Sequence, residues 1–229
     1  SLHDALPIRA ECEASLRRLG LERLDLYQFH WPDETGTPIE DSWAQMQALI
    51  AAGKVRLGGV CNFDTGLLER CEAVAHVASL QPGFSMIRRG AAMREIPWCA
   101  AHGAGVIGYS PMQNGLLTDG FDAARLARLA DDDWRRRSPA FQSPALERNL
   151  ALRDALRPIA RRHGSTVAAV AVAWVLAWPG VSGAIVGARA PEQIAGWLDG
   201  AGLALSDDDL DEIAAAIGET RAGAGPPRP

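Results

Sequence analysis

The sequence predicts an α/β protein with a parallel sheet, organised as an incomplete TIM (β/α)8 barrel with about five of the eight βα units present. Three observations lead there. Strand-like and helix-like segments alternate along most of the chain, the pattern of parallel α/β folds. The 229 residues approach the roughly 250 of a single (β/α)8 barrel. No G-x-G-x-x-G turn follows any strand, which counts against the doubly wound open sheet, the architecture that otherwise tolerates five strands.

The elements follow in order. Residues 10–19 have helical periodicity, and Gly20 suits a C-cap. Residues 24–30 (LDLYQFH) read as the first strand. At 42–52, Trp43, Met46, Leu49 and Ile50 share one helical face, and Gly53 stops the helix. A strand at 55–63 (VRLGGVCNF), a helix at 65–75, a short strand at 80–84, a helix at 91–102 and a strand at 105–110 (GVIGYS) come next. Gly58-Gly59 is read as letting the backbone turn.

The polar stretch 113–144 contains DDDWRRR at 131–137, read as a solvated loop with self-paired charges. As a long barrel loop, 114–148 is expected to form part of a lid. Two helices follow, 144–163 and 165–177, the second capped by Ser165 or Thr166. The last strand is 183–187 (GAIVG), and helices at 191–198 and 206–217 close the chain. The barrel domain is assigned to 9–218. Residues 219–229, ending in AGAGPPRP, have the composition of a disordered tail. The first eight residues, SLHDALPI, do not fit the pattern that follows and are read as non-native or disordered.

Hydrophobic residues make up 48% of the chain, enough for a large core. Lys plus Arg is 23 against 28 for Asp plus Glu, a net charge of -5, which speaks against nucleic acid or an anionic membrane as a general partner. The longest apolar run, 167–178, is too short to span a bilayer, and the N-terminus lacks the pattern of a signal peptide. Cys12, Cys61, Cys71 and Cys99 form neither a C-x-x-C pair nor a zinc-spaced cluster with histidine. Reduced thiols in a cytoplasmic protein, and no metal site, are the expectation.

In a barrel, chemistry gathers at the C-terminal ends of the strands. Those ends carry, in order, His30-Trp31-Pro32-Asp33, Cys61-Asn62-Phe63, Gln81-Pro82, Tyr109-Ser110-Pro111 and Gly187-Ala188-Arg189. A polar group or flat aromatic at every tip describes a polar-lined pocket. Taken singly, each has an ordinary structural alternative: His30 as a strand cap, Asn62 as a turn residue, Tyr109 as barrel core, Arg189 as a solvated surface side chain. Their joint order along the chain carries the reading.

The same residues lie in recognisable strings. SLRRLGLERLDLYQFHWPD (15–33) resembles the aldo-keto reductase signature in which a helix leads to a strand ending in His-Trp-Pro. GGVCNF (58–63) is similar to that family's G-V-S-N-F, GVIGYSPMQNGLLT (105–118) to its Y-S-P-L-x-x-G-L-L-T, and GAIVGARAPEQI (183–194) to its I-P-G-A-R-x-P-E-Q. The four blocks keep the family's order and spacing over nearly all of 15–217.

The resemblance implies NADP(H)-dependent reduction of an aldehyde or ketone to an alcohol by direct hydride transfer, with a small-molecule carbonyl substrate and no metal. The family's tetrad is Asp, Tyr, Lys and His, with Tyr as general acid. His30 matches the histidine that orients the carbonyl, and Trp31 would line the substrate pocket. Asn62 and Gln81, with Cys61, match the residues that hold the nicotinamide carboxamide. Tyr109 matches the aromatic stacked on the nicotinamide. Ser110, Pro111, Met112, Gln113 and Gly115 match the loop beside the pyrophosphate. Gly187, Ala188 and Arg189 match the block in which an arginine grips the 2′-phosphate of NADP, whose oxygens suit a planar guanidinium fork. Gln193 would face the adenosine.

Two departures stand out. Cys61 replaces the family's Ser, and a thiol is the weaker donor. The tetrad's Asp, Tyr and Lys cannot be assigned: Tyr27 and Tyr109 both fill other family positions, and Lys54, the only lysine, begins a strand at the wrong end of the barrel. About three further βα units, roughly 90 residues, would complete the fold, and the chain alone is expected to be inactive. A non-catalytic NADP(H)-binding partner protein, or a non-functional gene fragment with aggregation-prone strand edges, are the alternatives.

Overall fold

The structure, a computed structural model, describes the backbone of residues 2–229 and the side chains of residues 7–229. The chain forms two compact units. One holds the residues up to Pro82 together with Pro97–Ile107; the other holds Gly83–Ile96 and Gly108–Pro229.

The first unit contains α1 (Leu2–Leu19), β1 (Leu24–Phe29), α2 (Ile39–Ala51), β2 (Val55–Cys61), α3 (Thr65–Val74), β3 (Ser79–Gln81), the greater part of α4 (Glu95–His102), and the start of β4 (Gly105–Tyr109). Neighbouring strands pair in parallel, Leu24 opposite Val55, Gly59 opposite Ser79, and Ser79 opposite Gly105. The second unit contains the end of β4, α5 (Ala123–Ala127), α6 (Ala145–Ala155), α7 (Arg157–Arg162), α8 (Val167–Leu176), β5 (Val181–Ile185), α9 (Glu192–Leu198) and α10 (Asp207–Thr220). The strand order is β1-β2-β3-β4-β5. A doubly wound sheet would reverse direction at a switch point; a sequential parallel order is that of a barrel wall.

Proline and glycine account for most departures from the expected boundaries. α2 starts at Ile39, ahead of 42, because Pro38 fixes its φ at -56° in the cap position and Glu40 and Asp41 suit a first turn. β3 ends at Gln81, well before 84, since Pro82 has no N–H to donate. Helix 91–102 is in fact a 3-10 turn, Gly90–Met93, and then α4, whose first turn contains Pro97. The helix expected at 144–163 divides at Leu156, where Pro158 follows in the first turn of α7. β5 lies two residues earlier than 183–187, launched by Gly180 at φ 86°. α8 is capped by Thr166, whose Oγ accepts from Ala169 N at 3.0 Å.

The polar stretch after β4 is not a featureless loop. It contains α5 and the 3-10 turns Trp134–Arg137 and Pro139–Phe141, anchored by buried Leu116, Leu117, Phe121 and Phe141. Its charges do pair with each other, Arg135 with Asp133 and Arg136 with Asp131, but Arg135 is buried rather than solvated. The residues following α10 are also held in place. Buried Arg89 donates to the carbonyls of Ala222 at 2.9 Å and Gly225 at 3.2 Å, and Arg228 pairs with Asp207 and Asp211. At the other terminus α1 begins at Leu2, ahead of the expected residue 10. Among the described residues, no disulfide joins the four buried cysteines, and no helix is long and apolar enough to cross a membrane.

Gly58-Gly59 does not turn the chain; it lies inside β2. A Cβ on Gly58 would come within 2.7 Å of Met46 Cγ, and one on Gly59 within 2.2 Å of Ser79 Oγ and 2.9 Å of Ser79 O. The pair is needed for close approach, of α2 at Gly58 and of β3 at Gly59. Ser79 O is backbone and cannot swing aside. Gly59→Ala is therefore expected to lower Tm by about 5 °C, as an overpacked site does, measured by thermal melting against Gly66→Ala, where only a side-chain atom at 3.5 Å is met.

Candidate functional site

The residues expected at the strand tips fall into two groups, one in each unit. In the first, side chains from β1, β2 and β3 form one hydrogen-bonded chain. Asn62 adopts φ 62°, a left-handed conformation that asparagine tolerates better than most residues. Its Nδ2 donates to the His30 carbonyl at 3.2 Å and to Cys61 Sγ at 3.4 Å. The Cys61 thiol donates to Gln81 Oε1 at 3.5 Å, Gln81 Nε2 donates to Gln28 Oε1 at 2.8 Å, and Gln28 Nε2 donates to Ser79 Oγ at 3.0 Å. Burial pushes the Cys61 thiol up, which keeps it a neutral donor.

Register explains the chain. Cys61 lies opposite Gln81, and Gln28 opposite Gly59, where the missing side chain leaves room for it. Gln28 is a member that sequence reading missed. The signal was available: in LDLYQFH, alternation places residue 28 on the same face as residue 30. His30 and Trp31 are exposed, with ring centroids 5.9 Å apart. Lys54 immediately precedes β2, and its ammonium is paired with Glu13 of α1.

The second group lines a cavity of about 740 Å³, within the usual range for small-molecule sites. From the tip of β4 come Tyr109, Ser110, Pro111, Met112, Asn114 and Gly115; from the tip of β5 and α9 come Gly187, Ala188, Arg189 and Gln193. Trp134 and Arg135, from the segment read as a solvated loop, complete one wall. Gln113 does not line it. Its Oε1 instead accepts from buried Ser85 Oγ at 2.8 Å. Arg189 N donates to Gln193 Oε1 at 2.8 Å, so Gln193 fixes the backbone that carries the arginine.

The wall's electrostatics leave Arg189 available. Asp133 is near enough for Arg189 to help lower its carboxyl, to about 2, but the larger cause is Arg135, which grips both carboxylate oxygens at 2.9 and 2.6 Å. The ion pairs of this segment among the described residues are Asp133–Arg135 and Asp131–Arg136, and neither uses Arg189.

Backbone strain marks both groups. The described non-glycine residues with positive φ are Asn62, Ser110, Gln113, Asn114 and Arg221. Four of the five fall in the two expected motifs. Such conformations cost about 1–3 kcal/mol each and persist mainly where function requires them, so their placement supports reading these tips as a site.

Comparison with known proteins places the chain in a family. The sequence pattern of the Aldo/keto reductase family matches residues 3–217. The chain therefore belongs to the aldo/keto reductase family of oxidoreductases, and its sheet is part of a TIM-barrel-like fold. It is 33% identical over 204 residues to aldo-keto reductase YhdN of Bacillus subtilis (strain 168), an alignment covering 89% of this chain and 61% of the relative. The chain thus spans about three-fifths of that relative's length. Among solved structures it resembles the glycerol dehydrogenase AKR11B4 from Gluconobacter oxydans, with a TM-score of 0.89, 35% identity, and coverage of 97% of this chain and 67% of that one. The fold alone is shared with a thermostable aldo-keto reductase, Tm1743, solved with the inhibitor epalrestat, at a TM-score of 0.66, 24% identity, and 87% and 62% coverage.

Proposed function

We propose that this chain binds NADP(H) and that the complete protein, in the cytoplasm, uses it to interconvert a small carbonyl compound and its alcohol. The observation that carries the reading is the β4–β5 cavity, with Arg189, engaged by no ion pair among the described residues, at one wall and a loop of positive-φ residues beside it. The residues fit the cofactor. Arg189 offers a planar fork for a 2′-phosphate. Ser110 to Gly115 brings backbone close to a pyrophosphate, and Tyr109 provides a flat face for a nicotinamide ring. In the other unit, Asn62 and Gln81 carry amides that can pair with a carboxamide, and the Cys61 and Gln28 contacts hold Gln81 in orientation.

The cofactor would supply the hydride. His30, exposed at the tip of β1, would donate a hydrogen bond to the carbonyl oxygen as it gains negative charge. The protonating acid is not among this chain's assignable residues: Tyr109 lies against Arg88, and burial pushes the Tyr27 phenol up, away from the acidity needed. That observation also favours a second reading, a chain that binds NADP(H) without turnover.

Two measurements separate the readings. NADPH should quench the tryptophan fluorescence of this chain, since Trp134 and Trp197 line the cavity. Carbonyl-dependent NADPH loss should appear with the complete protein and be absent with this chain. Quenching without turnover in the complete protein would select the binder; no quenching would reject both.

A further inference from the structure

The segment between β3 and α4 has no role in the reading above, yet it grips the proposed nicotinamide-stacking residue. Tyr109 is held there through both its carbonyl and its phenol. Its carbonyl accepts from Phe84 N at 3.0 Å, in a parallel bridge with Gly83. Its phenol oxygen accepts from Arg88 Nη1 at 3.1 Å, with the guanidinium carbon 5.6 Å from the ring centroid.

Arg88 is itself aimed by a tight turn. Ser85 N donates to the Arg88 carbonyl, and Arg88 N donates to the Ser85 carbonyl, each at 3.1 Å. The buried Ser85 hydroxyl accepts from the amides of Ile87 and Arg88 and donates to Gln113. Gly83 makes the space: a Cβ there would fall 2.3 Å from Arg88 Nη1 and 2.6 Å from its Cζ, and the three nearest atoms are all of that guanidinium. An aromatic side chain whose face must lie parallel to a ligand gains from having its second torsion fixed before binding.

We propose that Arg88 is a positioning residue that sets the plane of Tyr109 for the nicotinamide ring, with Gly83 as the residue that admits it; this rests on the cofactor reading above. Arg88 acts on only one end of the cofactor. Its loss should be felt by ligands that carry a nicotinamide and not by those that lack one.

The test is calorimetric titration of this chain and its variants with NADPH and with 2′,5′-ADP, which keeps the 2′-phosphate and has no nicotinamide. Arg88→Met should weaken NADPH about fivefold, the loss of one ordinary hydrogen bond, and leave 2′,5′-ADP unchanged. Arg88→Lys, which keeps a donor and the charge, should recover part of the loss. Gly83→Ala should give the same selective loss without lowering Tm, because only the far end of a flexible side chain must move, and Gly83→Ala with Arg88→Met should be no worse than either alone. Equal weakening of both ligands by Arg88→Met, no effect on NADPH, or additive losses in the double variant would overturn the proposal. Absence of binding of either ligand to the unsubstituted chain would instead overturn the cofactor reading, and this inference with it.

Discussion

Arg189→Ala is expected to weaken NADPH binding about a hundredfold while changing NADH binding by roughly twofold or less. The two cofactors differ only in the 2′-phosphate, so the difference isolates what Arg189 contacts. A guanidinium presents two parallel N–H donors to a phosphate, and charge-assisted pairs of this kind are about twice as strong as neutral ones. Nothing on the protein side offsets the loss. Asp133, the carboxylate whose charge Arg189 feels, is already held at both oxygens by Arg135. Removing Arg189 therefore frees no buried charge and should not destabilise the fold. Arg189→Lys should recover charge but not the fork, and land between the two. Equal effects on NADPH and NADH would reject the 2′-phosphate role and leave Arg189 a structural arginine.

The largest expected loss of stability is at Asp209. Its carboxylate is buried and accepts five hydrogen bonds: from Arg162 Nη2 at 2.6 Å and Nε at 3.2 Å, His163 Nε2 at 2.9 Å, and Ser206 N and Oγ, both at 2.9 Å. With Ser206 it forms the capping box that starts α10, so one side chain ties α10 to the end of α7. Burial alone would raise the Asp209 carboxyl, but the bonds from Arg162, Ser206 and His163 outweigh it and hold it far below the usual carboxylate range. Asp209→Ala is expected to cost about 3 kcal/mol, the low end for breaking a buried pair because Arg162 is half exposed, and to lower Tm by about 8 °C. The contribution also depends on pH. The carboxyl titrates lower in the folded chain than in the unfolded one, whose value is about 4. Its stabilisation is thus complete above that pH and is lost as pH falls below it. Thermal melts from pH 7 down to pH 3 should draw closer for the parent and Asp209→Ala without yet meeting, because the loss is complete only below the lower folded value; parallel curves would mean that another group controls the acid limb.

Much of the first unit could be read from the sequence because its signals are local. The strand tips at His30, Asn62 and Gln81 follow from alternation and from helix stops such as Gly53. The chain of contacts behind them could not be read, because it depends on register: Gln28 meets Gln81 and Ser79 only once β1, β2 and β3 are side by side. Gly58-Gly59 reads as a turn for the same reason, since the atoms it makes room for are up to 31 residues away. In the second unit, the motif residues from Tyr109 to Gly115 and from Gly187 to Arg189 were legible, but Trp134 and Arg135 were not. A run of three acidic and three basic residues has the look of a solvated loop, and only the Asp133–Arg135 pair and the anchoring of Phe141 place it against the cavity. Gln113 shows the converse. Its motif position matched, yet Ser85, 28 residues away, takes its side chain.

The claim on which the account depends is that the β4–β5 cavity recognises a phosphorylated nicotinamide nucleotide. Calorimetric titration of the unsubstituted chain with NADPH and NADH tests it most directly. The account predicts saturable binding of NADPH with an affinity about a hundredfold above that for NADH. Equal affinities for the two, or no heat of binding from either, would contradict it.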